Sequence, residues 1–180
     1  MKREAKPMTA GEALATTAAM CSRGEQCESD MRALMRRRGV SDAIADAVIA
    51  QLREQGFIDD ERYVRAFVHD RMAYNGWGVR KVRQQLRLKH FDSELIDRVL
   101  DEAVDRQNYR MALADLLRRR YRETAGREPR RRREAAIRTA MSRGYEPDIV
   151  FELANELFDG SEDDYDACDD EFVDDNTAMD

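Results

Sequence analysis

One short pattern occurs three times along this chain, and it constrains the fold more than any other feature. The copies cover residues 35–52, 86–103 and 140–157 and read MRRRGVSDAIADAVIAQL, LRLKHFDSELIDRVLDEA and AMSRGYEPDIVFELANEL. Apolar residues recur in each copy at the fourth-residue spacing that places side chains on one face of a helix. The alternative is a coincidence among three short amphipathic helices.

The helix boundaries agree in the same register. Each copy has an apolar residue before its helix, and these residues are Val40, Phe91 and Tyr145, spaced 51 and 54 positions apart. The N-cap positions that follow are Ser41, Asp92 and Glu146, of which the first two are good caps and the third a poor one. The preceding helices end at Gly39, His90 and Gly144, where a residue that tolerates positive φ is required.

A period of this length fits three short helices and is typical of a helical repeat array. The chain has only 9 glycines and 3 prolines among 180 residues, which favours helix, and no segment resembles a strand. We therefore predict an all-α chain of three tandem three-helix repeats over residues 10–55, 56–105 and 106–158. The clearest further helices are predicted over residues 10–22, 28–38, 60–74, 79–89 and 130–142.

The stretch GFIDDERYVRAFVHDR, residues 56–71, combines carboxylates with a histidine and so resembles a catalytic or metal site. The helical pattern favours a simpler interpretation. Asp59 caps a helix, Asp60 lies in its first turn where the helix dipole favours negative charge, and Tyr63 and Phe67 form its buried stripe. His69 lies about 13 Å along the helix axis from Asp60, and the neighbouring Asp70 is expected on another face.

The net charge of -6 conceals an asymmetry. Residues 159–180 contain eleven acidic residues and no lysine or arginine, so the rest of the chain carries +5. We expect a disordered acidic C-terminal tail that covers the arginines between Arg118 and Arg133, or that only aids solubility. Three cysteines without zinc-site spacing, no signal peptide and no membrane-length apolar run predict a cytoplasmic protein without metal.

Four segments resemble the RecX family of regulatory proteins, the modulators of the RecA recombinase. The central pair is the most specific and consists of GFIDDERYVRAFVHDR and NGWGVRKVRQQLRLKHF. The weaker outer pair is SRGEQCESDMRALMRRRGV and RREAAIRTAMSRGYEPDIV, and together the four cover about residues 10–158. The chain departs from the family pattern at Cys27, Val79 and His90, where a serine, a proline and a glycine are usual, and the acidic tail lies outside the resemblance.

The resemblance implies an elongated, curved array that binds the groove of the RecA–single-stranded DNA filament. It implies inhibition of RecA ATP hydrolysis, strand exchange and filament growth, in DNA repair, recombination and the SOS response. It implies no enzymatic activity, no cofactor and, most simply, a monomer. The alternative is a basic helical architectural protein that binds single- or double-stranded DNA directly and without RecA. An enzyme is disfavoured because the sequence offers no nucleophile constellation and no phosphate-binding loop.

Three basic clusters are the candidate contacts with the filament or with DNA, since arginine binds phosphates and carboxylates alike. The predicted contact residues are Arg36, Arg37 and Arg38; Arg80, Lys81, Arg83, Arg87 and Lys89; and Arg118, Arg119, Arg122, Arg130, Arg131, Arg132 and Arg133. The alternative is that some of them only stabilise helix C-termini. Tyr74 and Trp77 flank Gly76 and are either an interface anchor or the packing of a helix joint.

Overall fold

The computed structural model describes residues 8–158. Nine α-helices account for most of this part of the chain, and it contains no strand. They are α1 (Ala10–Cys21), α2 (Glu28–Arg37), α3 (Asp42–Glu54), α4 (Asp60–Ala73), α5 (Val79–Leu88), α6 (Ser93–Ala103), α7 (Arg106–Glu123), α8 (Pro129–Ser142) and α9 (Pro147–Phe158). The acidic tail lies outside the described residues.

The helices pack in successive groups of three, α1–α3, α4–α6 and α7–α9. The predicted all-α fold of three-helix repeats is therefore confirmed. The five helices that the apolar spacing predicted begin and end within one residue of the observed bounds.

The turn before the third helix of each repeat has the same backbone geometry. Gly39, His90 and Gly144 have φ values of 73°, 67° and 87°, as the repeat register predicts. In each copy the next residue donates its amide to a carbonyl five residues back, at 3.0, 3.2 and 3.3 Å. This pattern is the Schellman motif, in which a left-handed residue closes the helix end. His90 is the one described non-glycine residue with positive φ.

The N-caps of the third helices differ in how they use their side chains. Asp92 accepts hydrogen bonds from two amides of α6, at 2.9 and 3.1 Å. Ser41 occupies the N-cap of α3 but its hydroxyl makes no capping hydrogen bond, so the prediction that it is a good cap is wrong in this respect. The carboxylate of Glu146 instead accepts a hydrogen bond of 2.6 Å from the Tyr109 hydroxyl.

Two hydrophobic cores run through the described residues. The first is built from α1–α3 and includes Met31, Met35 and Leu52, and it extends to Ile58 in the turn after α3. The second is continuous across α4–α9 and joins the second repeat to the third. Cys27, the N-cap residue of α2, lies in this second core and so connects the first repeat to it.

Side chains make the joint between the first two repeats. Lys89, at the end of α5, places its Nζ 2.6 Å from Asp30 Oδ2 and 3.8 Å from the Sγ of Cys27. Two further ion pairs cross the joint, Arg62 with Glu25 at 2.6 Å and Arg53 with Asp60 at 3.1 Å.

Backbone groups make the joint between the second and third repeats. The amide of Gly78 donates to the Arg143 carbonyl at 2.8 Å, and the amide of Arg80 donates to the Gly144 carbonyl at 3.0 Å. A Cβ on Gly78 would lie 2.3 Å from the backbone of Gly144. The start of α5 therefore meets the end of α8, just as the start of α2 meets the end of α5.

Candidate interaction surface

An ion pair between the second and third helices of a repeat occurs in two copies at equivalent positions. Arg32 pairs with Asp46 at 2.6 Å, and Arg83 pairs with Asp97 at 2.8 Å. Both partners are shifted by 51 residues, the spacing between the first two copies. Arg83, a predicted contact residue, thus forms an ion pair within its own repeat.

A free arginine also recurs in the repeat register. Arg36 and Arg87 lie four residues before Val40 and Phe91, and both are exposed. Within residues 8–158 neither forms an ion pair. The third repeat places Met141 at this position. Two of the three repeats therefore present an unpaired guanidinium at the end of the second helix.

Further exposed arginines lie on α5 and at the end of α2. Arg80 is exposed and has no ion pair in the described part of the chain, and Leu88 beside Arg87 is 64% exposed. Arg37 and Arg38 at the end of α2 are likewise exposed and form no ion pair among residues 8–158, although the charge of Arg37 helps to lower the pKa of Asp30. We call Arg36, Arg37, Arg38, Arg80 and Arg87 the free-arginine surface.

Two lysines of the second cluster, both predicted contact residues, have contacts within the fold. Lys81 lies with its Nζ 4.5 Å from the centre of the Trp77 ring. Burial lowers the pKa of Lys89, but the hydrogen bond to Asp30 and the neighbouring Cys27 raise it above its usual value overall. Burial also raises the pKa of Tyr63, whose ring lies 5.9 Å from Lys89 Nζ, to about 12.

The third cluster divides into paired and unpaired arginines. Arg118, Arg120 and Arg130 pair with acidic residues on their own helices, at 3.5, 3.0 and 3.3 Å. The guanidinium of Arg132 stacks on the Tyr121 ring at 3.9 Å. Arg133 donates to the Asn155 side chain. Three predicted contact residues are exposed and have no ion pair within residues 8–158, and these are Arg119, Arg122 and Arg131.

A groove of about 460 Å³ opens between the end of α7 and α8. Its lining consists of Arg120, Arg127, Ala135, Arg138, Thr139 and Ser142, and we call it the arginine groove. Arg127 and Arg138 are exposed and unpaired in the described part of the chain, and Arg120 Nε is buried there without a hydrogen-bond partner. Arg138 was missed by the sequence reasoning because it stands alone, outside the dense arginine run.

The segment that resembles a catalytic site forms the start of α4. Asp59 is the N-cap and accepts a hydrogen bond of 2.9 Å from the Arg62 amide, while Tyr63 and Phe67 are buried in the second core. The expectation that Asp70 faces away from His69 is wrong, because His69 Nδ1 lies 3.3 Å from Asp70 Oδ1. Both side chains are more than 60% exposed.

The aromatic pair at the α4–α5 turn divides its roles. Trp77 packs at the turn between α4 and α5, edge-on to Phe67 and beneath the Arg71 guanidinium, which lies 5.4 Å from the centre of the Trp77 ring. Tyr74 is 78% exposed and touches the ring of His69. Packing between α4 and α5 therefore accounts for Trp77, whereas Tyr74 is left on the surface.

Two kinds of site are absent from residues 8–158. No group of three His, Cys, Asp or Glu side chains there could hold a metal ion. No described helix is long and apolar enough to cross a membrane. The unpaired arginines described above suit contact with carboxylates or phosphates of a negatively charged macromolecule.

Comparison with known proteins gives consistent matches. The family described as "RecX, second three-helix domain" matches residues 59–100, which begin at the cap of α4 and end within α6. The regulatory protein RecX of Stenotrophomonas maltophilia (strain R551-3) is 35% identical over 130 residues, or 71% of this chain and 76% of that protein. A regulatory protein RecX of Thermus thermophilus is 32% identical over 152 residues, or 83% of this chain and 96% of that protein.

Solved structures share the fold. The crystal structure of RecX from Lactobacillus salivarius superposes with a TM-score of 0.70 at 15% identity, over 82% of this chain and 96% of that one. Another crystal structure of a regulatory protein RecX gives a TM-score of 0.69 at 19% identity, over 84% and 75% of the two chains.

Proposed function

The chain belongs to the RecX family of regulatory proteins, and from this we propose that it regulates the RecA recombinase by binding in the groove of the RecA–single-stranded DNA filament. In this proposal it lowers RecA ATP hydrolysis, strand exchange and filament growth. It acts by binding and not by catalysis, as a monomer in the cytoplasm. The three repeats, 10–55, 56–105 and 106–158, engage the filament in succession.

The recurrence of a free arginine at Arg36 and Arg87 carries the proposal. A filament offers the same surface again with each subunit, so a repeat protein that binds along it needs equivalent contacts at equivalent positions. The ion pairs of Arg32 and Arg83 show that other arginines of the same helices are already used within the repeat. Arg36 and Arg87 have no such intramolecular role among residues 8–158. Their guanidinium groups suit either carboxylates of the protein filament or phosphates of its DNA.

A second candidate function is direct DNA binding without RecA. The unpaired arginines Arg119, Arg122 and Arg131 in the third repeat favour it, because such a set can neutralise several phosphates. The two functions predict different behaviour. A RecA regulator changes ATP hydrolysis well below saturation of the DNA, whereas a DNA binder acts only by competing for DNA.

The test is single-stranded-DNA-dependent ATP hydrolysis by the cognate RecA, with this protein added from far below to one molecule per RecA subunit. We expect inhibition at well below one molecule of this protein per RecA subunit, because one bound array contacts several neighbouring subunits and inhibits ATP hydrolysis in all of them. Unchanged hydrolysis at equal concentrations, with DNA still shifted in a parallel gel assay, would replace the proposal with the DNA-binding function.

The contact surface is tested by the double variant Arg36→Glu, Arg87→Glu. We expect the concentration needed for half-inhibition to rise roughly tenfold or more, since like charges then face the partner. The matched control is Arg23→Glu, Arg106→Glu, which makes the same charge change at two other exposed positions that are unpaired in the described chain. Equal losses in the two double variants would show that only overall charge matters and would contradict the assignment of the surface.

A further inference from the structure

Only the third repeat carries a net positive charge. Residues 106–158 contain 13 basic and eight acidic side chains, a net charge of +5, whereas residues 1–105 contain 18 of each. The eleven acidic residues of 159–180 follow this repeat directly in sequence. The two regions of opposite charge are therefore covalent neighbours, and the other two repeats offer no net attraction.

The arginine groove has the chemistry of a carboxylate receptor. Arg127 and Arg138 lie on its walls with no ion pair in the described residues, and Arg120 uses its Nη1 for Glu123 while its Nε stays without a partner. Hydroxyl groups of Thr139 and Ser142 donate to backbone carbonyls at 2.9 and 2.8 Å. The remaining unsatisfied hydrogen-bond donors of the groove are thus guanidinium groups, which bind carboxylates in a planar, paired geometry.

The last described residue lies next to this basic region. The ring of Phe158 stacks on Tyr121 with centroids 4.4 Å apart, and Tyr121 carries the Arg132 guanidinium at 3.9 Å. The Tyr121 carbonyl also accepts a hydrogen bond from Arg132 Nε at 3.3 Å. This stack holds Phe158, the last described residue, against Tyr121, which follows Arg120 of the groove in sequence.

Length does not limit what the following segment can reach. Its 22 residues span up to roughly 70 Å when extended. The longest described helix of the repeat, α7 with 18 residues, is about 27 Å long. Every part of the third repeat, including the whole arginine groove, is therefore within reach from Phe158.

We propose that the arginine groove is the docking site of the chain's own acidic segment, residues 159–180, which binds there through carboxylate–guanidinium pairs. The docked segment occupies the cations that would otherwise attract any other polyanion to the third repeat. The free-arginine surface of the first two repeats is left open. The proposal concerns contacts within one chain and stands apart from the identity of the partner.

Arginine-specific modification of the full chain tests the contact. The wild type and a variant with all eleven acidic residues of 159–180 changed to Asn or Gln are treated with a phenylglyoxal reagent, and the rate at each arginine is measured by mass spectrometry. The tether gives the segment an effective concentration of roughly 1 mM. At that concentration a site with a dissociation constant of about 0.3 mM is occupied about three-quarters of the time, so modification of its arginines is slowed about fourfold. We expect Arg127 and Arg138 to react about fourfold faster in the variant, and Arg36 and Arg37 to react at unchanged rates. Equal rates at Arg127 and Arg138 in the two proteins would overturn the proposal, and so would an equal rise at all four arginines.

Cross-linking gives a second measurement that needs no loss of charge. The third repeat contains no lysine, so Arg138→Lys introduces a single amine into the groove and keeps its charge. A carbodiimide then joins that amine to a nearby carboxylate with loss of water. We expect a cross-link from residue 138 to the segment 159–180, lost at high salt, and no such product from the matched control Arg36→Lys. A cross-link of equal yield in both variants would overturn the groove assignment. Neither measurement contains RecA or DNA, so its failure is separable from failure of the proposed function.

Discussion

The joint between the second and third repeats predicts a large effect for one methyl group. Gly78 is the N-cap of α5 with φ of −81°, a backbone conformation that alanine and serine adopt without strain. A Cβ at this position would lie 2.3 Å from the Gly144 carbonyl group and from the Tyr145 nitrogen. Backbone atoms cannot rotate away, so the two repeats must separate by more than about 1 Å to restore ordinary contact.

The magnitude follows from what that separation breaks. The hydrogen bonds of 2.8 Å from Gly78 and 3.0 Å from Arg80 cross the joint, and each contributes about 1 kcal/mol. Overpacking adds about 1–3 kcal/mol. We therefore expect Gly78→Ala and Gly78→Ser to lower the free energy of unfolding by about 3–5 kcal/mol. Serine is as good an N-cap as glycine, so the serine variant separates the steric effect from the loss of a cap.

Urea unfolding measures this free energy, followed by circular dichroism and by fluorescence of Trp77, which is the chain's single tryptophan and lies next to the joint. The matched control is Gly126→Ala, because a Cβ there would meet no atom within 4 Å and φ is not left-handed. We expect the control to change stability by less than about 1 kcal/mol. The reasoning is refuted if Gly78→Ser unfolds within about 1 kcal/mol of the control.

Three further predictions concern stability and use the same urea assay. His90→Gly should raise the free energy of unfolding by about 0.5–1 kcal/mol, because His90 has a left-handed φ of 67°; a loss would contradict this explanation. Tyr109→Phe should lower the free energy of unfolding by about 1–3 kcal/mol, because the Tyr109 hydroxyl accepts a hydrogen bond of 3.1 Å from the buried backbone amide of Val79. Tyr145→Phe should be close to neutral, and equal losses in the two variants would refute the role of this hydrogen bond. Burial raises the pKa of Asp30, but the hydrogen bond from Lys89 lowers it below its usual value overall. The pair therefore stabilises the fold fully above the unfolded pKa of Asp30, and this contribution is lost as the pH falls through the folded pKa. The partly exposed pair should contribute about 1 kcal/mol or less. The stability difference between wild type and Asp30→Asn should vanish at low pH, and a difference that persists there would refute this explanation.

The repeat register shows how far the sequence alone could lead. It located the left-handed residue of each repeat, including His90, because the spacing of apolar residues and the position of a helix end are local properties. It also contained a signal that was not used. The spacing of 51 residues relates Arg83 to Arg32 and Asp97 to Asp46, and this relation predicts that Arg83 is paired within its repeat.

Other features required the three-dimensional structure. The contact between Gly78 and Gly144 joins residues 66 positions apart, and no local pattern indicates that their backbones touch. The different roles of Tyr74 and Trp77 depend on the direction of each side chain at one turn. The arginine groove depends on how α7 and α8 pack, and that packing brings Arg138 beside Arg120 and Arg127. Long-range packing decided each of these features, and composition and periodicity describe only short-range order.

The two joints differ in their mechanical compliance. Backbone hydrogen bonds and glycine contacts fasten the second repeat to the third, and salt screens such contacts little. Partly exposed ion pairs fasten the first repeat to the second, and salt weakens these. The radius of gyration measured by small-angle scattering should therefore be larger at high salt, because the first repeat moves relative to the other two. The same radius of gyration at low and high salt would contradict this. If the chain binds along a helical filament as proposed, a stiff two-repeat span with one hinged end would let the first repeat change its angle to the partner while the second and third repeats move as one body.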